Sequence, residues 1–202
     1  MRPLRALATL LLGISAPAQI IEFESGGLRY LTQTKSGVTV MFAHLASSVR
    51  EYAIIQAAIS NGSSSPRVIR PEDFSYRRKD GVVLRALPAK TVVDNLLEKA
   101  GRNDVIRLVA TYEAGLFGLP RYQSTNGYQQ RRQAALAEVS SPRIKAAAAA
   151  SAIAFIETRL RPGDSTDGAV FFRTQGKPLG PGSLIVRCGP DVFEFPSEGE
   201  PQ

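Results

Sequence analysis

From about Ala89 to Leu160 the apolar residues of this chain recur every three or four positions, and on either side of that block they do not. A helical period enclosed by two β-patterned stretches leaves few architectures open. An alternating strand–helix rhythm, which would give a parallel sheet, is missing. Both flanks carry hairpin signals instead. The strands before and after the block must therefore combine into antiparallel sheets, with the block inserted between two of their strands.

The first flank contains "GVTVMFAHL" (Gly37–Leu45), rich in β-branched and apolar residues. "EYAIIQAAIS" (Glu51–Ser60) is apolar at successive positions, as a central strand buried on both faces should be. "NGSSSP" (Asn61–Pro66) is a loop of turn formers. "RVIR" is short and extended, and Pro71 follows it. "DFSYRRKDGVVLRAL" (Asp73–Leu87) is predicted to be a hairpin turning at Lys79-Asp80-Gly81, where Asp-Gly supplies the positive φ of a tight turn.

Inside the block, "KTVVDNLLEKAG" sets Val92, Val93, Leu96 and Leu97 on one helical face, with Gly101 as a stop. "NDVIRLVATYEAGLFG" repeats the spacing at Val105, Leu108, Val109, Tyr112 and Leu116. "LPRYQSTNG" (Leu119–Gly127) reads as a loop, and "YQQRRQAALAEV" (Tyr128–Val139) as a more polar third helix. Ser141 is a good N-cap for a fourth, with Pro142 at the first helical position, where its missing N–H costs nothing. That fourth segment runs uncharged from Ala146 to Ile156, 11 residues. It is too short to span a bilayer, which takes about 20 residues. Alanine favours helix and lets a neighbour approach closely, so the run is expected to be a packed helix within the fold.

The chain then returns to β pattern. "RLRPGDSTDGAVFFRT" (Arg159–Thr174) reads as strand, Pro-Gly turn, strand. "SLIVRCGPDVFEF" (Ser183–Phe195) reads as a hairpin across Gly189-Pro190-Asp191. The expected organisation is a first β part over 19–88, a helical insertion over 89–158, a second β part over 159–196 and a disordered tail over 197–202. The fold class is mainly β with an α insertion: an antiparallel β-sandwich, immunoglobulin-like by the resemblance described below, carrying a three- to four-helix insertion that covers one end or edge.

Residues 1–18 stand apart from the fold. "MRPLRALATLLLGISAPA" has a basic start (Arg2, Arg5), a nine-residue apolar run and a small-x-small ending at Ala16-Pro17-Ala18. That is the layout of a secretory signal peptide cleaved after Ala18. The expectation is an exported protein, periplasmic or extracellular, without a transmembrane span in the mature chain. The formal net charge is +7, two of whose charges are Arg2 and Arg5. In an exported chain this excess suits anionic envelope polymers or lipid headgroups better than nucleic acid.

The catalytic inventory is thin. Cys188 is the only cysteine, so neither an internal disulfide nor a cysteine zinc site can form. His44 is the only histidine and sits on a predicted strand, where a hydrogen-bonded structural role is expected. Met41 with His44 is too small a set for a copper carrier. "PGDSTDG" (Pro162–Gly168) lacks the regular acidic calcium loop and reads as a turn. Glu72-Asp73 and Asp191/Glu194 show no sign of catalysis, although paired carboxylates leave an envelope-acting hydrolase as an alternative. Asn61-Gly62-Ser63 fits the glycosylation acceptor pattern. No cofactor is expected. The candidate binding surface is a basic, aromatic-edged patch: Arg77, Arg78 and Lys79 at the hairpin tip with Arg121, Tyr122, Tyr128, Arg131 and Arg132 from the block. Its partner would be an envelope protein or an anionic polymer. An assembly or chaperone-like role through a sheet edge is a further alternative.

Two segments carry a family resemblance. "YAIIQAAISNGSSSPRVIRPEDFSYRRKDG" (Tyr52–Gly81) combines a strand ending in Asn-Gly, an extended stretch, a Phe and an Asp-Gly turn. "LRPGDSTDGAVFF" (Leu160–Phe172) sets a Pro-Gly turn and a later glycine before a core strand. Together they resemble the bacterial telokin-like, immunoglobulin-like exported domains of unknown function. The resemblance implies an extracytoplasmic, non-enzymatic adhesion or interaction module and brings no catalytic residues with it. The helical block is longer than the connection such domains carry between these strands.

Overall fold

The computed structural model describes residues 19–25, 27–45, 48–104, 106–108, 110 and 141–198. The expected signal peptide, the middle of the helical block and residues 199–202 lie outside the described residues. Eleven strands follow in chain order: β1 (Ile20–Ser25), β2 (Leu28–Lys35), β3 (Val38–His44), β4 (Tyr52–Asn61), β5 (Arg67–Ile69), β6 (Phe74–Arg78), β7 (Val83–Arg85), β8 (Thr158–Leu160), β9 (Ser165–Arg173), β10 (Gly182–Cys188) and β11 (Asp191–Ser197). Between β7 and β8 stand the helices α1 (Ala89–Lys99) and α2 (Pro142–Ile153).

The strands form a five-stranded sheet, β1-β2-β3-β4-β9, a four-stranded sheet, β11-β10-β6-β7, and the short pair β5-β8. Every paired strand runs antiparallel to its neighbour. Each large sheet takes strands from both ends of the chain, as the split β pattern requires. β9 docks on β4 from Ser60↔Ser165 to Tyr52↔Arg173, and β10 docks on β6. The two sheets share a core of Val40, Phe42, Ile55, Phe74, Tyr76, Val170, Phe172, Val186 and Phe195.

A second core lies on the other face of the five-stranded sheet. Tyr52, Ile54, Ala169 and Phe171 pack there against Val92 and Leu96 of α1 and Ala146, Ala149, Ala150 and Ile153 of α2. The molecule is thus layered sheet, sheet, helix. This corrects the expectation that the helical block covers an end or edge. The physical reason is in β4, whose eight residues from Tyr52 to Ile59 are all buried. Its odd and even positions are both apolar, so its sheet needs cover on both sides.

Local chemistry explains the turns. Gly81 has φ +86 and closes the β6–β7 loop with Gly81 N–H donating to the Arg78 carbonyl (3.0 Å). Gly189, with φ +62, leads the two-residue Gly189-Pro190 turn between Cys188 and Asp191. At α2 the N-cap is Ser141 with Pro142 at the first turn, as its sequence implies. The Ser141 side chain makes no capping bond; its carbonyl takes the Lys145 N–H (3.0 Å).

Two expectations need correction here. The strand–turn–strand reading of Arg159–Thr174 holds, but the two strands do not pair as a hairpin: β8 pairs with β5 and β9 with β4, so Pro162-Gly163 is a corner between sheets. Ser197 is not tail; it is buried and closes β11 opposite Gly182. The exit of α2 shows why a glycine opens "GAVFF". Phe155 N–H donates to the Ala169 carbonyl (2.8 Å), and a Cβ on Gly168 would stand 2.7 Å from the Phe155 backbone. Only glycine admits that approach.

Candidate functional site: a cleft between the sheets

The five-stranded sheet is wider than its partner, and the surplus is at β1 and β2. On the face turned toward the other sheet, register brings Ile20, Glu22 and Glu24 of β1 beside Gln33, Leu31 and Arg29 of β2. Phe42 and His44 of β3 continue that face. The facing wall is made by the ends of β6, β10 and β11: Arg77, Arg78, Lys79, Gly182, Ser183 and Pro196 to Glu198. The space between is a cleft of about 1250 Å³.

The floor is apolar, from Ile20, Leu31 and Phe42, and the rim carries charge of both signs. Glu22 and Arg29 pair across β1 and β2, with a second contact at 2.6 Å. The Arg29 hydrogen bond holds the Glu22 carboxyl below the usual carboxylate range. Arg77 pairs with Glu194, and Arg78 with Asp80 at 3.0 Å. Lys79 anchors the hairpin through its backbone N–H to the Pro181 carbonyl (2.9 Å). Its ammonium has no ion-pair partner among the described residues.

At the inner end of the cleft His44 Nε2 lies 2.7 Å from Ser197 Oγ. The imidazole is set edge-to-face against Phe42 (5.4 Å) and Tyr76 (6.1 Å). Burial pushes its pKa down to about 4, so it is neutral at pH 7. His44 Nδ1 is buried with no hydrogen-bond partner. A serine–histidine pair at this distance invites comparison with a nucleophile and its base. A catalytic histidine, however, is oriented through Nδ1 and works best with a pKa near the operating pH. His44 has neither property. The pair can hydrogen-bond a ligand at the end of an apolar cleft; it is poorly built to move a proton.

The sequence-predicted patch divides. Arg77, Arg78 and Lys79 stand on the cleft rim. Arg121, Tyr122, Tyr128, Arg131 and Arg132 lie outside the described residues. Of the carboxylates singled out as pairs, Asp73, Asp191 and Glu194 have structural partners. Asp73 accepts the Arg70 N–H (2.8 Å), Asp191 accepts the Ser36 hydroxyl (2.8 Å), and Glu194 pairs with Arg77. In "PGDSTDG", Asp164 accepts the Arg161 N–H (2.9 Å), a turn contact. Met41 and His44 fall on opposite faces of β3 and do not converge. Cys188 is a buried core residue whose thiol pKa burial pushes up. Asn61 is fully buried and donates its side-chain amide to the Ser65 and Leu160 carbonyls, so it offers no glycosylation site.

Sequence reasoning missed Ser197, Arg29, Glu22 and Glu24. A signal for three of them was present. In "IIEFES" and "LRYLTQTK", charged residues alternate at the positions that turn toward the other sheet, where a covered strand would carry apolar ones.

No protein-family model and no curated protein matches this chain. Among solved structures it is similar to the crystal structure of the yjhA protein from Bacillus subtilis, at 9% identity, over 82% of this chain and 76% of that one, with a TM-score of 0.32. That likeness is too slight to carry an inference about fold or function.

Proposed function

We propose that this chain is an exported binding module of the cell envelope: an immunoglobulin-like sandwich with a helical insertion that holds a partner in the cleft between β1–β3 and β11. The cleft is the observation that carries the reading. It joins an apolar floor, a neutral hydrogen-bonding pair at His44 and Ser197, and a lip where Lys79, beside the Arg78–Asp80 pair, keeps an ammonium without an ion-pair partner among the described residues. Ligand sites combine these features: apolar burial for affinity and a few polar groups for orientation. The cationic lip favours an anionic partner, either an envelope polymer or an acidic segment of an envelope protein. The secretory layout of residues 1–18 and the resemblance to telokin-like exported domains support the location.

The hydrolase alternative has less behind it, because Asp73, Asp191 and Glu194 are held in structural contacts and the buried His44 has no partner at Nδ1. Assembly through a sheet edge also fits less well. β1 points Glu22 and Glu24 inward and β11 carries Pro196, both devices that blunt an edge.

The test is a photo-reactive amino acid placed at Leu31 on the floor or at Val68, which is 40% exposed and not among the cleft residues. In living cells the Leu31 position should label a discrete partner that the Val68 position does not. Reversing the lip with Arg78→Glu and Lys79→Glu should reduce that labelling. Equal labelling from both positions, or labelling unaffected by the reversal, would sink the reading.

A further inference from the structure

A second recess lies at the far end of β4 and β9, where two tight turns interlock. In the first, Val49 and Tyr52 exchange backbone hydrogen bonds (2.9 and 3.0 Å) around Arg50-Glu51. In the second, Lys177 N–H returns to the Thr174 carbonyl (3.2 Å) around Gln175-Gly176. Thr174 N–H donates to the Glu51 carbonyl (2.8 Å) and ties the two together. Gly176 presses so close that a Cβ would stand 2.9 Å from the Arg50 carbonyl oxygen.

Both turns put a long side chain where glycine is the ordinary choice. Arg50 has φ +53 and Gln175 φ +58. Such strain persists only where its surroundings enforce it, and it gathers at functional sites. Here it aims Arg50 and Gln175 into a recess of about 630 Å³, shared with Ser48, Glu51, Asp104, Arg107 and Arg173. Arg50 reaches Asp104 at 3.3 Å, and Arg173 reaches Glu51 at 3.0 Å. Arg107 donates to the Ser48 carbonyl (3.4 Å) and has no carboxylate partner among the described residues. Among the described residues one cation of the recess is therefore in excess. Each guanidinium has five donors, and these contacts leave most of them free for a ligand.

The buried surroundings are also polar and incompletely bonded. Asn95 Oδ1 and Thr174 Oγ1 are buried without a hydrogen-bond partner among the described residues, and the Tyr52 hydroxyl interacts with Arg173 and Glu51. All three belong to residues grouped about Glu51: Asn95 donates to its carboxylate (3.5 Å), Thr174 bonds its carbonyl, and Tyr52 lies against Glu51 and Arg173. They form a polar layer around Glu51, which itself lines the recess.

We infer that this recess binds a small oxyanion, a carboxylate or phosphate group, gripped by the forks of Arg50, Arg107 and Arg173. Arginine forks match the paired oxygens of both groups. This site is separate from the cleft and does not depend on the cleft's role.

The experiment is a titration of the full chain with inorganic phosphate and, in a second arm, with succinate. Sodium chloride at matched ionic strength is the reference, and binding is read by calorimetry and thermal melting. The expected result is saturable binding of phosphate, of succinate or of both, with a melting shift that chloride does not produce. Phosphate alone assigns a phosphate group, and succinate alone a carboxylate. Arg107→Gln should weaken binding by roughly ten- to a hundredfold, the usual effect of losing a charge-assisted hydrogen bond, while melting in chloride stays unchanged. Arg78→Gln, on the cleft rim, should leave it intact. Chloride reproducing the shift, or a shift that survives both Arg107→Gln and Arg173→Gln, would overturn the proposal.

Discussion

β4 and β1 belong to the same sheet and could hardly be more different. From Tyr52 to Ile59 every residue of β4 is buried, one face under the second sheet and the other under α1 and α2. No residue of β1 is fully buried, and its inward positions hold Ile20, Glu22 and Glu24. The difference teaches how this fold separates stability from surface. The β4–β9 pair is a girder that both cores grip. The β1–β2 ribbon is a wall whose inner face the second sheet leaves open.

If that contrast is right, equal truncations should cost unequal amounts. Ile55 is fully buried in the inter-sheet core, and Ile55→Ala should cost about 2–5 kcal/mol in denaturant unfolding. Ile20→Ala, at the cleft, should cost less than about 1 kcal/mol, as partly exposed substitutions do. Similar losses at the two positions would erase the distinction between girder and wall.

The helix side offers a finer version of the same comparison. Ala150 is fully buried against the sheet, whereas Ala148 is half-buried. Ala150→Leu should destabilise by about 1–3 kcal/mol through overpacking. Ala148→Leu should stay within about 0.5 kcal/mol. Melting temperatures of the two variants decide it, and equal shifts would mean that α2 does not press one alanine face onto β4 and β9.

Acid sensitivity should trace to the cleft end. The His44 pKa is near 4 in the folded chain, against about 6.5 when unfolded. The unfolded chain therefore binds the proton first, and stability falls as the pH drops from about 6.5 to 4. Above that window the group contributes no slope. The loss is bounded at about 3 kcal/mol by the linkage relation. Unfolding curves at pH 7 and pH 4.5 should differ in the wild type and differ less in His44→Gln; an unchanged slope would place the sensitivity elsewhere.

The smallest effect is expected at the strained turn. Arg50→Gly removes a left-handed non-glycine residue, so the folded state should gain or hold stability, within about 1 kcal/mol. Oxyanion binding at the second recess should weaken in the same variant. A clear destabilisation would show that the Arg50–Asp104 contact, rather than ligand binding, is what keeps arginine there.

Much of the girder was legible in the sequence. Apolar residues at successive positions of Ala53–Ile59 announce burial on both faces, and Asp80-Gly81 and Gly189-Pro190 announce their turns through the φ they require. What covers the second face of β4 was not legible, because apolarity on two faces asks for cover without naming it. The cleft was hidden for a related reason. His44 and Ser197 are 153 residues apart and meet only after β11 has folded onto β10. Ser197 itself stands where the acidic, Pro-rich end of the chain reads as tail, and its strand is revealed by pairing with Gly182, a partner that no local pattern names.

If the cleft is the binding site, a partner meets the open wall and not the girder. The most direct measurement is Leu31→Trp, which fills the cleft floor without touching β4, scored for both melting and partner capture by a photo-reactive group at Ser183 on the opposite wall. The expected result is a melting temperature close to that of the wild type together with loss of capture. Undiminished capture with the floor filled would contradict it.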